Sequence, residues 1–263
     1  RYSKDENYNY FKKNQFDAVG ISAVVSTAYE YTKYLSKLIK EINPNTFVFV
    51  GGGLAASSEI LHRKSKVDFC VIGDGEIIAK NLVKAIEDNK LKDEDLAKIK
   101  GITYIDSQNK FKFTGYEHPI PAPLIESPDY SILEDDNSIE HYICDRGGRT
   151  YELKNYTGGK TAVVIVAKGC VARCTFCHRF EKGYRVSPLE KIKKHLKMLK
   201  EKYGVGYISI GDENFGSYKK ETIELAETLG ELGFTWSAGG VRAQTVDLEM
   251  LKLWKKNGCE SVL

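Results

Sequence analysis

No stretch of this chain is long and apolar enough to cross a bilayer. The longest apolar runs, such as residues 162–167, are only strand-sized. No secretory signal peptide is expected from its opening residues either. Charge of one sign is scarce: 39 Lys and Arg stand against 36 Asp and Glu, a formal net charge of +3. The basic residues are scattered among the acidic ones, so no nucleic-acid partner or anionic membrane surface is expected. Cysteine is sparse, with six in 263 residues, which argues against a disulfide framework. What is present, 42% hydrophobic and 29% charged residues, is the profile of a soluble globular protein. The length suffices for one large domain or two ordinary ones, and the cytoplasm is the expected location.

Both ends look cut. The chain opens on Arg1-Tyr2-Ser3 without an initiator Met. It closes on Cys259-Glu260-Ser261-Val262-Leu263, which reads as the opening of a buried strand. A fragment of a longer protein is expected, because a strand cut short leaves backbone groups unpaired.

Strand and helix signals alternate in two regions. In the first, residues 17–25 form a β-branched run followed by Thr27-Ala28-Tyr29-Glu30, a capping box that predicts a helix start. Tyr31, Leu35, Leu38 and Ile42 then recur at helical spacing, and Asn43-Pro44-Asn45 stops them. Strands are predicted at 47–50, running into Gly51-Gly52-Gly53, and at 69–72, running into Gly73-Asp74-Gly75-Glu76. Residues 1–100 therefore read as a doubly wound α/β domain. Residues 101–160 break the pattern and read as a connector. Segments 102–105 and 111–113 are short strands that can pair, and the spaced Pro119, Pro121, Pro123 and Pro128 favour an extended strap.

The second α/β region covers 161–263. A buried strand at 161–167 precedes a cysteine-rich loop. Ser187-Pro188-Leu189-Glu190 then predicts a capped helix with Leu189, Ile192, Leu196, Leu199 and Tyr203 on its apolar face and Gly204 at its end. Strands at 207–210 and 234–238 alternate with helices at 218–232 and 248–257, a series that fits part of a (β/α) barrel.

The chemistry concentrates after the first strand of that series, where Cys170, Cys174 and Cys177 place three thiols within eight residues. Three thiolates on one cubane 4Fe-4S cluster leave its fourth iron without a protein ligand, open to a small molecule. The rival is structural zinc, with Cys174 and Cys177 joined by His141 and Cys144; it leaves Cys170 unexplained. Cys70 and Cys259 stand in apolar strands and read as core residues.

The Cys-x3-Cys-x2-Cys spacing after the first strand of a βα series resembles the radical S-adenosylmethionine superfamily. Ser22-Ala23-Val24, followed after 26 residues by Gly51-Gly52, resembles the Ser-x-Leu and Gly-Gly pattern of cobalamin-binding domains, with Val24 in place of Leu. Together they resemble the cobalamin-dependent radical S-adenosylmethionine enzymes, which include C-methyltransferases and the anaerobic cyclase of chlorophyll biosynthesis. The resemblance implies a Rossmann-like cobalamin-binding domain followed by a partial radical barrel. It implies three cofactors: a 4Fe-4S cluster on Cys170, Cys174 and Cys177, S-adenosylmethionine, and cobalamin.

For S-adenosylmethionine it assigns Phe176 to the adenine. It gives the methionine ammonium to the loop Gly211-Asp212-Glu213-Asn214-Phe215 and the carboxylate or ribose to Arg242, after Gly239-Gly240. Helix capping by Asp212 or Asn214 is the alternative reading. His178 and Arg179 line the pocket or the surface. For cobalamin it implies Ser22, Val24, Ser26, Thr27, Gly51, Gly52, Gly53, Gly73, Gly75 and Glu76; the nucleotide tail needs small side chains and bare backbone where it passes. The cobalt-ligating His motif of such domains is not in this sequence.

The implied reaction begins when the reduced cluster cleaves S-adenosylmethionine to methionine and a 5′-deoxyadenosyl radical, which takes hydrogen from an unactivated carbon. Methyl transfer follows in one branch, cyclisation or rearrangement in another. A small-molecule substrate and an electron donor such as flavodoxin or ferredoxin are the implied partners. A non-enzymatic zinc module is the third reading.

Overall fold

The computed structural model describes residues 3–134, 138–144, 159–175, 177 and 183–263. The chain divides into two units, Arg1–Ile120 and Pro121–Leu263.

The first unit runs α1 (Lys4–Lys13), β1 (Ala18–Ser22), α2 (Tyr29–Ile42), β2 (Phe47–Gly51), α3 (Ser58–Lys64), β3 (Phe69–Val71), α4 (Gly75–Glu87), α5 (Asp93–Leu96), β4 (Ile102–Ile105) and β5 (Phe111–Phe113). Its strands lie in the order β1-β2-β3-β4-β5, the first three parallel and the last two antiparallel. The pair expected at 102–105 and 111–113 thus forms, and it extends the sheet.

Alternation along the strands covers both faces of this sheet. Val48, Val50, Cys70 and Ile72 pack with Ile39 and Leu61 of α2 and α3. Phe47, Phe49, Phe69 and Val71 pack instead with Ile78, Leu82 and Ala85 of α4. Helices on both faces are the doubly wound layering expected, although β1, β2 and β3 follow one another in chain order without a reversal.

The second unit contains β6 (Ile143–Cys144), β7 (Lys160–Val164), β8 (Ala167–Lys168), β9 (Arg185–Val186), α6 (Leu189–Tyr203), β10 (Val205–Ile210), α7 (Lys219–Glu231), β11 (Thr235–Ala238), α8 (Leu248–Lys256) and β12 (Cys259–Val262). Strands β7, β10, β11 and β12 are parallel neighbours in chain order, and β6 adds antiparallel to β7. Sequential parallel strands with intervening helices are the start of a (β/α) barrel. Ile192, Leu196 and Leu199 recur at helical spacing on α6 and meet Ile208 and Ile210 of β10 in one core. Phe215, Trp236 and Trp254 fill that core, with ring centroids 5.2–6.0 Å apart.

Three local expectations differ from the structure. Thr27 does not cap α2, because a 3-10 turn at Ser26–Ala28 leads into the helix and leaves Ala28 at its N-cap. Ser187 does not cap α6; Pro188 holds that place, and the Ser187 N–H donates to the Val166 carbonyl at 2.9 Å. The strand expected at 161–167 ends at Val164, and Ala167 enters a two-stranded ribbon, β8 with β9.

Candidate functional site

The cysteine loop grows out of the C-terminal end of β7, the end at which barrel active sites form. Its neck is the β8–β9 ribbon, in which Ala167 pairs with Val186 and Lys168 with Arg185. Cys170 is half-buried, and its Sγ accepts the Ala172 N–H at 3.3 Å. Cys174 and Cys177 are exposed, and the Cys177 N–H donates to the Cys174 carbonyl at 3.2 Å.

All six cysteines are free thiols. Among the described residues, however, no three His, Cys, Asp or Glu side chains converge closely enough to hold a metal ion. The thiols share one loop without being drawn together. Metal binding commonly completes such a centre, since ligand convergence and metal affinity are linked. The donor set itself fits a cluster: three free thiols, two of them exposed, on a loop closed at its base. The rival zinc set is not assembled either; Cys144 lies on β6 with its Sγ 3.7 Å from Thr161 Oγ1.

The loop after β10 carries the polar groups of the second unit. Asp212 is 4% exposed, and its Oδ1 accepts N–H bonds from Val166 at 2.8 Å and Ala167 at 3.2 Å. Burial lifts its carboxyl to about 7, against the downward pull of those two bonds. Tyr184, buried beside it, is pushed up by burial first and then by the Asp212 charge.

Four buried side-chain atoms between 212 and 217 have no hydrogen-bond partner among the described residues: Asp212 Oδ2, Asn214 Oδ1, Asn214 Nδ2 and Ser217 Oγ. Neither Asp212 nor Asn214 caps α7, whose N-cap is Tyr218. Buried polar atoms left without partners each carry a cost, and a polar ligand is one way to remove it. The loop is anchored by Phe215, 1% exposed against Trp236 and Trp254.

Gly211 and Glu213 are exposed on this loop. A Cβ on Gly240, at φ +66°, would lie 2.1 Å from the Asp212 carbonyl oxygen, so only glycine lets the two strand ends approach. Arg242 is half-buried and donates to Gln244 Oε1 at 2.9 Å. Ser217 carries no sequence pattern that marks it. Phe176, His178 and Arg179 lie outside the described residues.

In the first unit, the residues expected to meet cobalamin gather at the C-terminal edge of β1, β2 and β3. Ser22 stands opposite Gly51, and the Ala23 N–H donates to the Gly51 carbonyl at 2.9 Å. Ser22, Val24, Ser26, Thr27, Gly52 and Glu76 are exposed, while Gly53 and Gly73 are half-buried. Among the described residues, a Cβ on Gly51 or on Gly75 would meet nothing within 4 Å beyond its chain neighbours. The protein's own packing does not demand these two glycines, and the open space beside them fits a cradle for a large ligand. Gly52 differs: at φ +84°, its Cβ would lie 2.9 Å from the Ala23 carbonyl oxygen.

Comparison with known proteins places both regions. Residues 3–83 match the B12 binding domain family, and residues 164–263 match the radical SAM superfamily. The chain is 29% identical over 265 residues to an uncharacterized methyltransferase of Pyrococcus horikoshii, covering 95% of this chain and 51% of that protein. It is 26% identical over 261 residues to the anaerobic magnesium-protoporphyrin IX monomethyl ester cyclase of Cereibacter sphaeroides, covering 93% and 39%. Among solved structures, the radical S-adenosylmethionine methyltransferase TsrM of Kitasatospora setae, bound to tryptophan and aza-SAM, superposes with a TM-score of 0.76. That match has 16% identity and covers 98% of this chain and 50% of the other, a likeness of fold. The chain thus spans about half or less of the length of these relatives.

Proposed function

Because the chain belongs to the cobalamin-binding radical S-adenosylmethionine family, we propose that it is the cofactor-holding part of an enzyme that methylates an unactivated carbon. The observation that carries the reading is the presence of both cofactor edges in one chain. One is a three-thiol loop at the end of β7; the other is an open, glycine-lined edge on β1, β2 and β3.

Cys170, Cys174 and Cys177 hold the cluster by three thiolates. When bound, the cluster and S-adenosylmethionine supply a carbon-centred radical able to remove hydrogen from the substrate. Gly211, Asp212, Glu213 and Arg242, with Phe176, receive S-adenosylmethionine, and the partnerless atoms of Asn214 and Ser217 add donors and an acceptor to that set. Cobalamin, when bound, carries the methyl group. Ser22, Ser26 and Thr27 offer hydroxyls to its tail, Gly51, Gly52, Gly53, Gly73, Gly75 and Glu76 line its path, and the exposed Val24 gives it an apolar contact. Domain limits of 1–100, 101–160 and 161–263 belong to the same reading, as do the cytoplasm, a small-molecule substrate and a flavodoxin- or ferredoxin-type electron donor.

The test is anaerobic turnover by the full-length protein with S-adenosylmethionine, cobalamin and a reductant. Deoxyadenosine together with a methylated product supports the proposal; deoxyadenosine with cobalamin bound and no methylated product contradicts it. The similarity to the Cereibacter sphaeroides cyclase favours a second reading, a radical cyclisation, which that second outcome would support.

A further inference from the structure

The neck of the cysteine loop is gripped from two directions. On its own chain, the β8–β9 ribbon closes it, with the Ser187 N–H bonded to the Val166 carbonyl at 2.9 Å. From the end of β10, Asp212 Oδ1 accepts the N–H groups of Val166 and Ala167 at 2.8 and 3.2 Å. These two residues lie just beyond the last residue of β7, where the chain turns out of the sheet. A strand that leaves its sheet strands its backbone N–H groups, and buried ones must find another acceptor. One buried carboxyl oxygen supplies it for both.

We propose that Asp212 is a positioning residue of the cluster site. Its carboxylate fixes the direction in which the chain leaves β7, and so sets the place of Cys170, three residues past Ala167. This rests on the reading of Cys170, Cys174 and Cys177 as cluster ligands. It goes beyond the ammonium-binding role that the resemblance implies: Oδ1 is committed to the backbone, and Oδ2 is left for a ligand.

Three forms of the full-length protein, wild type, Asp212→Ala and Asp212→Asn, test it after anaerobic reconstitution. Iron and sulfide content are read beside the rate of cluster loss to a chelator, with far-UV circular dichroism as the fold control. Asn keeps an oxygen acceptor and drops the charge, whereas Ala removes the acceptor. The expected result is an Asp212→Ala protein that folds but loses its cluster about 10-fold faster or more, and an Asp212→Asn protein close to wild type. An Asp212→Ala protein with wild-type retention overturns the proposal. So does equal loss in both variants, which assigns the effect to the charge rather than to the backbone bonds. Should Asp212→Ala not fold, Asp212→Glu moves the acceptor by one methylene, and the same loss is expected of it; wild-type retention there overturns the proposal as well. A wild-type protein that takes up no cluster refutes the ligand assignment instead.

Discussion

Ser22 and Gly51 are direct neighbours across the parallel pairing of β1 and β2. Their juxtaposition puts a hydroxyl beside a bare stretch of backbone at the strand ends, where α/β sheets take their ligands. Among the described residues, none beyond its two chain neighbours lies within 4 Å of where a Gly51 side chain would begin.

The two adjacent glycines should therefore respond differently to substitution. Gly51→Val is expected to leave the unfolding midpoint unchanged and to abolish cobalamin retention, because its side chain fills only the open cradle. Gly52→Ala is expected to cost about 1–3 kcal/mol of stability, since its backbone, at φ 84° and ψ −174°, is one that other residues adopt only under strain. Thermal unfolding with the cobalamin absorption spectrum separates the two effects. A destabilised Gly51→Val or a neutral Gly52→Ala would contradict this account.

Asp212 predicts a pH dependence. Its carboxyl rises from 3.8 to about 7, chiefly through burial. An acid with a raised folded pKa holds more protons when folded, so its stability contribution is full below about pH 4 and falls as pH climbs to about 7. Asp212→Asn should escape that fall. The stabilities of the two ligand-free proteins should then converge near pH 4 and diverge by on the order of a few kcal/mol at pH 7. Denaturant unfolding across this range checks it, and parallel curves would contradict the assignment.

The partnerless atoms of Asn214 predict opposite effects on stability and binding. Asn214→Leu has similar volume and removes a buried donor and acceptor. The ligand-free protein is expected to gain about 1–3 kcal/mol, while S-adenosylmethionine binding weakens. Calorimetric titration beside chemical unfolding reads both; unchanged binding would take Asn214 out of the site.

Much of this was legible in the sequence, and the exceptions have physical reasons. Periodicity marks α6 through Ile192, Leu196 and Leu199, and it marks β2, whose alternating Phe and Val residues serve two different faces. The three thiols are equally plain. Cap residues mislead at Thr27 and Ser187, because a 3-10 turn leads into α2 and α6 starts one residue later, with Pro188 at its N-cap. Apolarity alone runs 161–167 into one strand, although the chain leaves the sheet after Val164. Sequence gives Asp212 its charge and its strand-end place but not its partners, since those N–H groups lie 45 and 46 residues away.

The thiols themselves divide by environment. Cys174 and Cys177 are exposed, whereas Cys70 and Cys259 are buried, their thiols pushed up to about 12 and about 11 by burial. Alkylation of the metal-free folded protein near neutral pH should label Cys174 and Cys177 first and reach Cys70 and Cys259 only on unfolding. Peptide mapping by mass spectrometry reads the order; early labelling of Cys70 would contradict the fold of the first unit.

The most direct measurement is metal and sulfide analysis of the protein reconstituted without oxygen, with the reduced sample read by electron paramagnetic resonance before and after S-adenosylmethionine. The account predicts about four irons and four sulfides per chain, a spectrum altered by S-adenosylmethionine, and loss of the cluster on replacing Cys170, Cys174 or Cys177 by Ala. About one zinc with no sulfide, or a cluster indifferent to those three replacements, would contradict it.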